Sequence, residues 1–212
     1  MDDCGGGYSD SIADICDELS TGASPVLMPT PNARTEAGSN QDCLVLNARL
    51  ARHQTRGGTD WRTQFEFLGV LFGFAARSGA PVSIPLSPPI WKLLVGQPIA
   101  LGDLNEIDSN FLSTLTAIRE MDAATLADSE LPFSSPDSFG LNKRLSPTET
   151  NITVNNRDLY LRLATEFRLH EFNTVAQWVR EGMARTLPLP LLSLFTPSEL
   201  ETMACYDSTC RL

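Results

Sequence analysis

Apolar residues recur along this chain mostly at spacings of three and four. In "SDSIADICDELS", Ile12, Ile15, Cys16 and Leu19 fall at i, i+3, i+4 and i+7, one face of a helix. Ser9 or Asp10 is placed to cap that helix and Gly22 to end it. From Asp60 to about Ala76 the same period turns Trp61, Phe65, Leu68, Leu71, Phe72 and Ala75 inward. "PPIWKLLVG" predicts a short helix opened by proline and closed by Gly96. "LGDLNEIDSNFLSTLTAIREMD" predicts a helical turn and then a longer helix. Asp108 or Ser109 caps it, and Phe111, Leu112, Leu115 and Ile118 form its stripe. Helices are predicted over Asn156–His170 and Phe172–Arg185, followed by the short "LPLLSLF". In the last helix Thr196, Pro197 and Glu199 make a capping box with proline at the first position.

Between these segments lie "PVLMP" and "CLVLN", predicted as short strands around a polar loop from Thr30 to Asp42, and "NITV", predicted as a third strand. "PVSIPL" is predicted extended and "RHQTRGG" an exposed loop. "DAATLADSELPFSSPDSFGLNKRLSPTET" is rich in Ser, Pro and Asp and predicts a loop. No internal repeat is present. The expected fold class is α+β, helix-dominated.

Composition narrows the function. The chain has 212 residues, 42% hydrophobic and 20% charged, enough for a packed core. Its net charge of −10 argues against nucleic acid and against an anionic membrane surface, which call for Lys and Arg. The longest apolar run, "FLGVLFGFAA", is too short to span a bilayer, and its Gly69 and Gly73 predict close helix packing instead. "MDDCGGG" has no basic region followed by an apolar stretch, so no secretory signal is read there. Five scattered cysteines point to a reducing compartment and free thiols.

Chemical motifs are sparse. His53 and His170 are the only histidines, with no CxxC or HExxH, so no metal site and no cofactor are expected. "CGGGYSD" lacks the Lys-Ser/Thr of a phosphate loop, and its glycines predict a turn. Asp10, Asp14, Asp17 and Glu18 form the solvated face of an amphipathic helix. Cys16 is predicted in the core and Cys43 in a strand; Cys4 has no identifiable base to activate it.

The order of the segments carries more than any one of them. "DDCGGGYSDSIADICDEL", "PTPNARTEAGSNQDCLVLN", "FEFLGVLFGFAARSGAPVSIPLSPPIWKLLVG", "LGDLNEID", "NITVNNRDLYLRLATEFRLHE", "VREGM" and "PLLSLFTPSELETMAC" follow one another from Asp2 to about Cys205. This ordered set resembles the HECT-type ubiquitin ligases, specifically the large HERC subgroup. The resemblance implies a HECT N-lobe-like fold with short strands and a small helical docking subdomain. On that basis residues 1–205 are a partial N-lobe with its docking subdomain at about 108–170, and residues 206–212 a divergent tail. The C-lobe is expected to be absent. The helices around Ile15 and Leu68, lacking the family's opening segments, are expected to expose apolar surface and drive association.

In the family, a C-lobe cysteine within a Thr-Cys dipeptide takes ubiquitin as a thioester and passes it to a substrate lysine. Thr209–Cys210 imitates that dipeptide, but only Tyr206, Asp207 and Ser208 separate it from Cys205, and Arg211–Leu212 replace the family's Phe-Asn. A lobe of roughly 100 residues is expected in that interval, so Cys210 is not expected to work as a nucleophile. What remains is docking. The family's N-lobe offers a ubiquitin-conjugating enzyme a hydrophobic groove, whose positions fall by resemblance on Phe111, Leu115, Met121, Ser129, Leu131 and Tyr160. Phe111 and Leu115 equally fit a core stripe, Ser129 departs from the family's apolar residue, and Tyr160 is expected at the groove's rim. The implied partner is a ubiquitin-conjugating enzyme; substrates are selected by regions outside this chain, and the cytoplasm, with the nucleus second, is the implied location. The alternatives are a non-catalytic protein that occupies conjugating enzymes, a non-functional remnant, and a stand-alone cysteine enzyme using Cys4 or Cys210.

Overall fold

The computed structural model describes residues 6–22, 24–52, 60–79 and 81–205, with side chains from residue 11 onwards. In chain order the elements are α1 (Gly6–Ser20), β1 (Leu27–Pro29), α2 (Pro31–Thr35), β2 (Leu44–Leu46), a 3-10 turn (Ala48–Arg52), α3 (Trp61–Ser78), α4 (Pro88–Leu94) and α5 (Leu101–Leu104). Then come α6 (Ser109–Glu120), α7 (Ala123–Asp128), β3 (Ser134–Pro136), β4 (Asn142–Arg144), α8 (Arg157–Leu169), α9 (Asn173–Met183), α10 (Leu189–Leu192) and α11 (Pro197–Ala204). The helix-dominated α+β class expected from the pattern is what the chain adopts. Among the described residues no helix is long and apolar enough to cross a membrane. The chain divides into two compact units: unit 1 is Met1–Pro29, Asp42–Pro98 and Phe172–Leu212, and unit 2 is Thr30–Gln41 and Ile99–Glu171.

Unit 1 is built on α3 packed along α9. Phe65, Leu68, Phe72 and Ala75 on α3 and Val175 and Val179 on α9 are fully buried. The approach is close because side chains are missing. A Cβ on Gly69 would overlap the Val179 carbonyl oxygen, and one on Gly182 would overlap that of Glu66. The GxxxG expectation therefore holds. Trp91 of α4 packs edge-on against Phe72 at 5.1 Å, and α11 also packs on α3 and α4. Leu68 is fully buried and Ile15 half-buried, but Phe67, beside Leu68 on α3, is 46% exposed, so the apolar surface expected there is present only at that residue. β1 and β2 pair antiparallel, Leu27 opposite Leu46, and "PVSIPL" contributes only a parallel bridge from Leu86 to Leu44. In α11 the capping box forms as expected: Thr196 Oγ1 accepts from Glu199 N at 3.2 Å and Glu199 Oε2 from Thr196 N at 2.8 Å. The first helix starts at Gly6, so Ser9 and Asp10 lie inside it, and Gly22 at φ +85° follows its end. Asp14, Asp17 and Glu18 face solvent.

Unit 2 departs further from expectation, and each departure has a polar cause. The Thr30–Asp42 loop contains α2: Thr30 Oγ1 accepts from Ala33 N at 3.0 Å, and Pro31 takes the first helical position. Fully buried Asn32 then closes the loop. Its Nδ2 donates to Ser39 O and Asn105 O, both at 3.0 Å, and its Oδ1 accepts from Ser109 N at 2.8 Å. The segment from Asp122 to Thr150, expected as loop, contains α7 and an antiparallel β3–β4 hairpin. Asp122 caps α7, accepting from Thr125 N and Ala124 N, and the bonds from Thr125 N and Oγ1 hold its carboxyl below the usual range. Asp137 turns the hairpin, accepting from Phe139 N and Leu141 N. "NITV" is not a strand. Asn151 makes one bridge to Pro132, and Asn156 Oδ1 accepts from Thr153 N at 2.7 Å, bending the chain into α8.

Candidate functional site

All six positions implied for docking fall in unit 2. Asp108 starts their principal helix, its Oδ1 accepting from Phe111 N at 3.0 Å. The 3.6-residue period then turns Phe111, Leu115 and Ile118 to the side that packs towards α8. α6 ends at Met121, which is extended (φ −61°, ψ 131°). Arg157, the first residue of α8, donates from Nη1 to the carbonyls of Arg119, at 3.2 Å, and of Met121. A cation on the last carbonyls of α6 satisfies groups the helix leaves unpaired and suits its dipole.

Burial sorts the six. Phe111 is 5% exposed, Leu115 4% and Tyr160 4%, so all three are interior. Met121 and Leu131 are half-buried and Ser129 is exposed. The rim position expected for Tyr160 is therefore not found. Its ring meets Phe133 edge-on at 5.5 Å, its hydroxyl donates to Ser134 O at 3.2 Å, and burial pushes its pKa up. The residue before it, Leu159, is the one that faces solvent at the start of α8, at 36% exposure. Reading the aromatic as the surface anchor missed it. The period identifies it, since α8 buries Tyr160, Leu161 and Ala164 on the other side.

A second feature was also missed. Arg168 is fully buried on α8. Its Nη1 pairs with Asp108 Oδ2 at 2.9 Å, its Nε with Glu171 Oε2 at 2.9 Å, and its guanidinium lies 4.7 Å over the Phe111 ring. Ser138 donates from N and Oγ to Glu171, both at 2.8 Å. Burial pushes the Glu171 carboxyl up, against the pull of Arg168 and Ser138. The signal was in the spacing: Arg168 follows Leu161 and Ala164 at i+7 and i+4 on the apolar face, where a charge requires partners.

The candidate nucleophiles Cys4 and Cys210, the histidine His53 and the tail 206–212 lie outside the described residues. Of the described thiols, Cys16 and Cys43 are buried, and Cys205 donates to Ile84 O at 3.6 Å. Burial pushes Cys16 up and Cys205 up to about 12. Cys43 adjoins β2 rather than lying in it. His170 follows α8, with Nδ1 2.8 Å from Glu166 O. Among the described residues no cluster of three or more His, Cys, Asp or Glu side chains is arranged to hold a metal ion. Unit 1 has a cavity of about 600 Å³ between α1 and Gly79, Pro81 and Ser83, with Cys16 in its wall.

The family model of the HECT-domain (ubiquitin-transferase) matches residues 16–211. Over 209 residues the chain is 48% identical to the E3 ubiquitin-protein ligase HERC2 of Homo sapiens, covering 97% of this chain and 4% of that protein. The Mus musculus HERC2 is likewise 48% identical over 207 residues. The E3 ubiquitin-protein ligase Nedd-4 of Drosophila melanogaster is 30% identical over 147 residues, 66% of this chain and 14% of that protein. The chain thus spans about 4% of the length of the HERC2 relatives.

Proposed function

Since the chain belongs to the HECT-domain (ubiquitin-transferase) family, we propose that it contributes the docking half of a ubiquitin transfer, unit 2 receiving a ubiquitin-conjugating enzyme. The family's chemistry is transthiolation. A cysteine thiolate in a second lobe attacks the thioester carbonyl of the charged conjugating enzyme and expels that enzyme's thiolate. A substrate lysine amine then attacks the new thioester carbonyl, expels the second lobe's cysteine thiolate and loses a proton, leaving an amide. Docking brings the two thiols within reach, an effect worth many orders of magnitude in effective concentration.

The observation that carries this reading is the contrast in burial along one short stretch. Phe111 and Leu115 are closed, while Met121 and Leu131 stay half-buried although apolar. Closed residues would form the floor of a groove and half-buried ones its contact surface, with exposed Leu159 as a further anchor. Energy at such a surface concentrates in a few side chains.

Titration of the chain against a panel of ubiquitin-conjugating enzymes by calorimetry tests it. Met121→Ala and Leu131→Ala are each expected to weaken binding about tenfold without moving the melt. Tyr160→Ala is expected to lower stability by about 3 kcal/mol, because its ring is interior. A wild-type chain that binds no enzyme in the panel, or two surface variants that bind like wild type, would overturn the assignment.

Among the described thiols, Cys16 and Cys43 are buried and Cys205 is half-buried with its pKa pushed up to about 12, which favours docking without transfer by these three. The chain alone is expected to form no ubiquitin thioester when mixed with charged conjugating enzymes. A reductant-sensitive adduct on a non-reducing gel, lost in Cys210→Ser, would reverse that.

A further inference from the structure

Arg180 of α9 stands apart from the cations around it. Arg62 of α3 binds Glu66 and Glu181, each at 2.8 Å, and Arg185, just past the end of α9, binds Glu66. Among the described residues Arg180 has no carboxylate partner. Its Nε is buried with no hydrogen-bond acceptor, and its Nη1 makes one long bond, 3.4 Å, to Gln177 Oε1. Gln177 is held in that orientation because its Nε2 donates to Glu181 Oε1 at 3.1 Å.

The half-buried Arg180 side chain borders a solvent-open cavity of about 310 Å³ within unit 1, where Gly96, Gln97, Pro98, Asn173 and Gln177 are exposed. Its walls carry the amides of Gln97, Asn173 and Gln177, and none of its eight lining residues is acidic, in a chain of net charge −10. Asn173 opens α9, an 11-residue helix with no side-chain cap, so first-turn N–H groups and the positive end of its dipole add to the same potential. Gly96 opposes the guanidinium at φ +89°, and a Cβ there would press on Nη2 at 2.9 Å. The missing side chain is what lets the guanidinium lie against the backbone and leaves it room to turn.

We propose that this cavity is a binding site for a small oxyanion, a phosphate or carboxylate group. An unpartnered guanidinium N–H is costly to bury, and its planar fork matches two oxygens of either anion. Binding turns Arg180 so that Nε enters the cavity and gains an acceptor. The volume, at the low end for ligand sites, suits a phosphate or a short dicarboxylate. The site is independent of the docking surface in unit 2.

The test uses the full chain and two probes, inorganic phosphate and succinate, titrated separately at constant ionic strength balanced with chloride. The amide resonances of Gly96, Asn173 and Gln177 are the reporters. At least one probe is expected to give saturating shifts with a midpoint of the order of millimolar. Arg180→Met is expected to weaken that midpoint at least tenfold, Arg180→Lys to weaken it less, and Arg162→Met, on an exposed cation of unit 2, to leave it unchanged. A tenfold preference for phosphate assigns a phosphate group, and the opposite preference a carboxylate. Shifts that stay linear for both probes in the wild type, or an unchanged midpoint in Arg180→Met, overturn the site. If Arg180→Met fails to give a folded spectrum, Arg180→Lys decides, and wild-type affinity there overturns it equally.

Discussion

In unit 1, α3 meets α9 where side chains are missing. Gly69 and Gly182 let each backbone reach the other's carbonyl groups, and the flanking Phe65, Leu68 and Val179 are apolar and sealed. In unit 2, α6 meets α8 through charge. A fully buried guanidinium pairs with the cap of one helix, lies over its first aromatic ring, and holds a carboxylate three residues along its own chain. Both arrangements exclude water, but they fail differently. A steric contact fails when an atom is added. A polar network fails when one is removed, because each remaining member is stranded in a medium that solvates it poorly.

The largest expected effect is the added atom. Gly182→Val puts branched carbon where the Glu66 carbonyl oxygen lies, in a contact between two helix backbones that cannot shift independently. The loss should exceed the ~3 kcal/mol upper range of ordinary overpacking and remove the cooperative melt of unit 1. A Val variant melting within a few degrees of wild type would mean the helices slide apart easily. Next is the removed charge. Arg168→Met keeps the stem and strands Asp108 and Glu171, at a cost of about 3 kcal/mol. Glu171 makes this loss pH-dependent. Burial already raises its folded pKa, so it favours the folded state fully only below its ordinary value near 4.5, and that contribution fades as pH rises through the folded value. Without the guanidinium the folded value rises further. The deficit of Arg168→Met relative to wild type should therefore be greatest near pH 7 and shrink towards pH 5, with Glu171→Gln in the same chain recovering part of it. A deficit that grows on acidification would show that Glu171 is ionised and held by donors other than Arg168.

A smaller effect is expected of Asn32→Ala. It removes the acceptor of Ser109 N and the donor to Ser39 O and Asn105 O without opening a large hole. Losing these part-buried hydrogen bonds together costs about 2 kcal/mol, seen as a lower melt. A neutral result would mean that the loop from Thr30 to Gln41 is not what Asn32 secures.

The contrast also explains what the sequence could disclose. Unit 1 was legible because its devices are periodic. The stripe from Phe65 to Ala75 shows at 3.6 residues, the glycine pair at four, and the box at Thr196 and Glu199 at three. Unit 2 shows that period in α6 and α8, but the segments between them are held by side-chain-to-backbone bonds that leave none. Nothing in "PTPNART" shows that Asn32 reaches Asn105, nor in "SSPDSFG" that Asp137 turns a hairpin, so α2, α7 and β3–β4 lay inside stretches taken for loop. The same asymmetry affected the candidate site. Phe111, Leu115 and Tyr160 were identified as a group by family resemblance, but composition could not tell floor from rim. Tyr160 proved interior because Ser134 O and Phe133 are there to receive it, both supplied by the segment whose structure was not foreseen.

The smallest expected effect is a null one, and it tests whether the comparison is between two separate means of stabilisation. The described thiols Cys16, Cys43 and Cys205 all belong to unit 1, so their reactivity reports on that unit alone. With the Cys205 thiol pushed up to about 12, its thiolate at pH 8 is about a thousandfold scarcer than for a thiol of ordinary pKa. Iodoacetamide at pH 8 should therefore leave these three unmodified in the native chain and label them in denaturant, read residue by residue from peptide masses. Raising the pH from 9 towards 12 ionises Cys205 in the unfolded chain before the folded one, so the stability it contributes as a neutral thiol is lost over that interval. Arg62→Ala removes only exposed ion pairs and should leave both the melt and the thiol protection as in wild type. Arg168→Met should lower the melt yet leave the labelling pattern of all three thiols intact, whereas Gly182→Val should expose them. Labelling of Cys205 in Arg168→Met to the extent seen in Gly182→Val would show that unit 1 opens when the charge network of unit 2 is cut, and the two means of stabilisation would have to be treated as one.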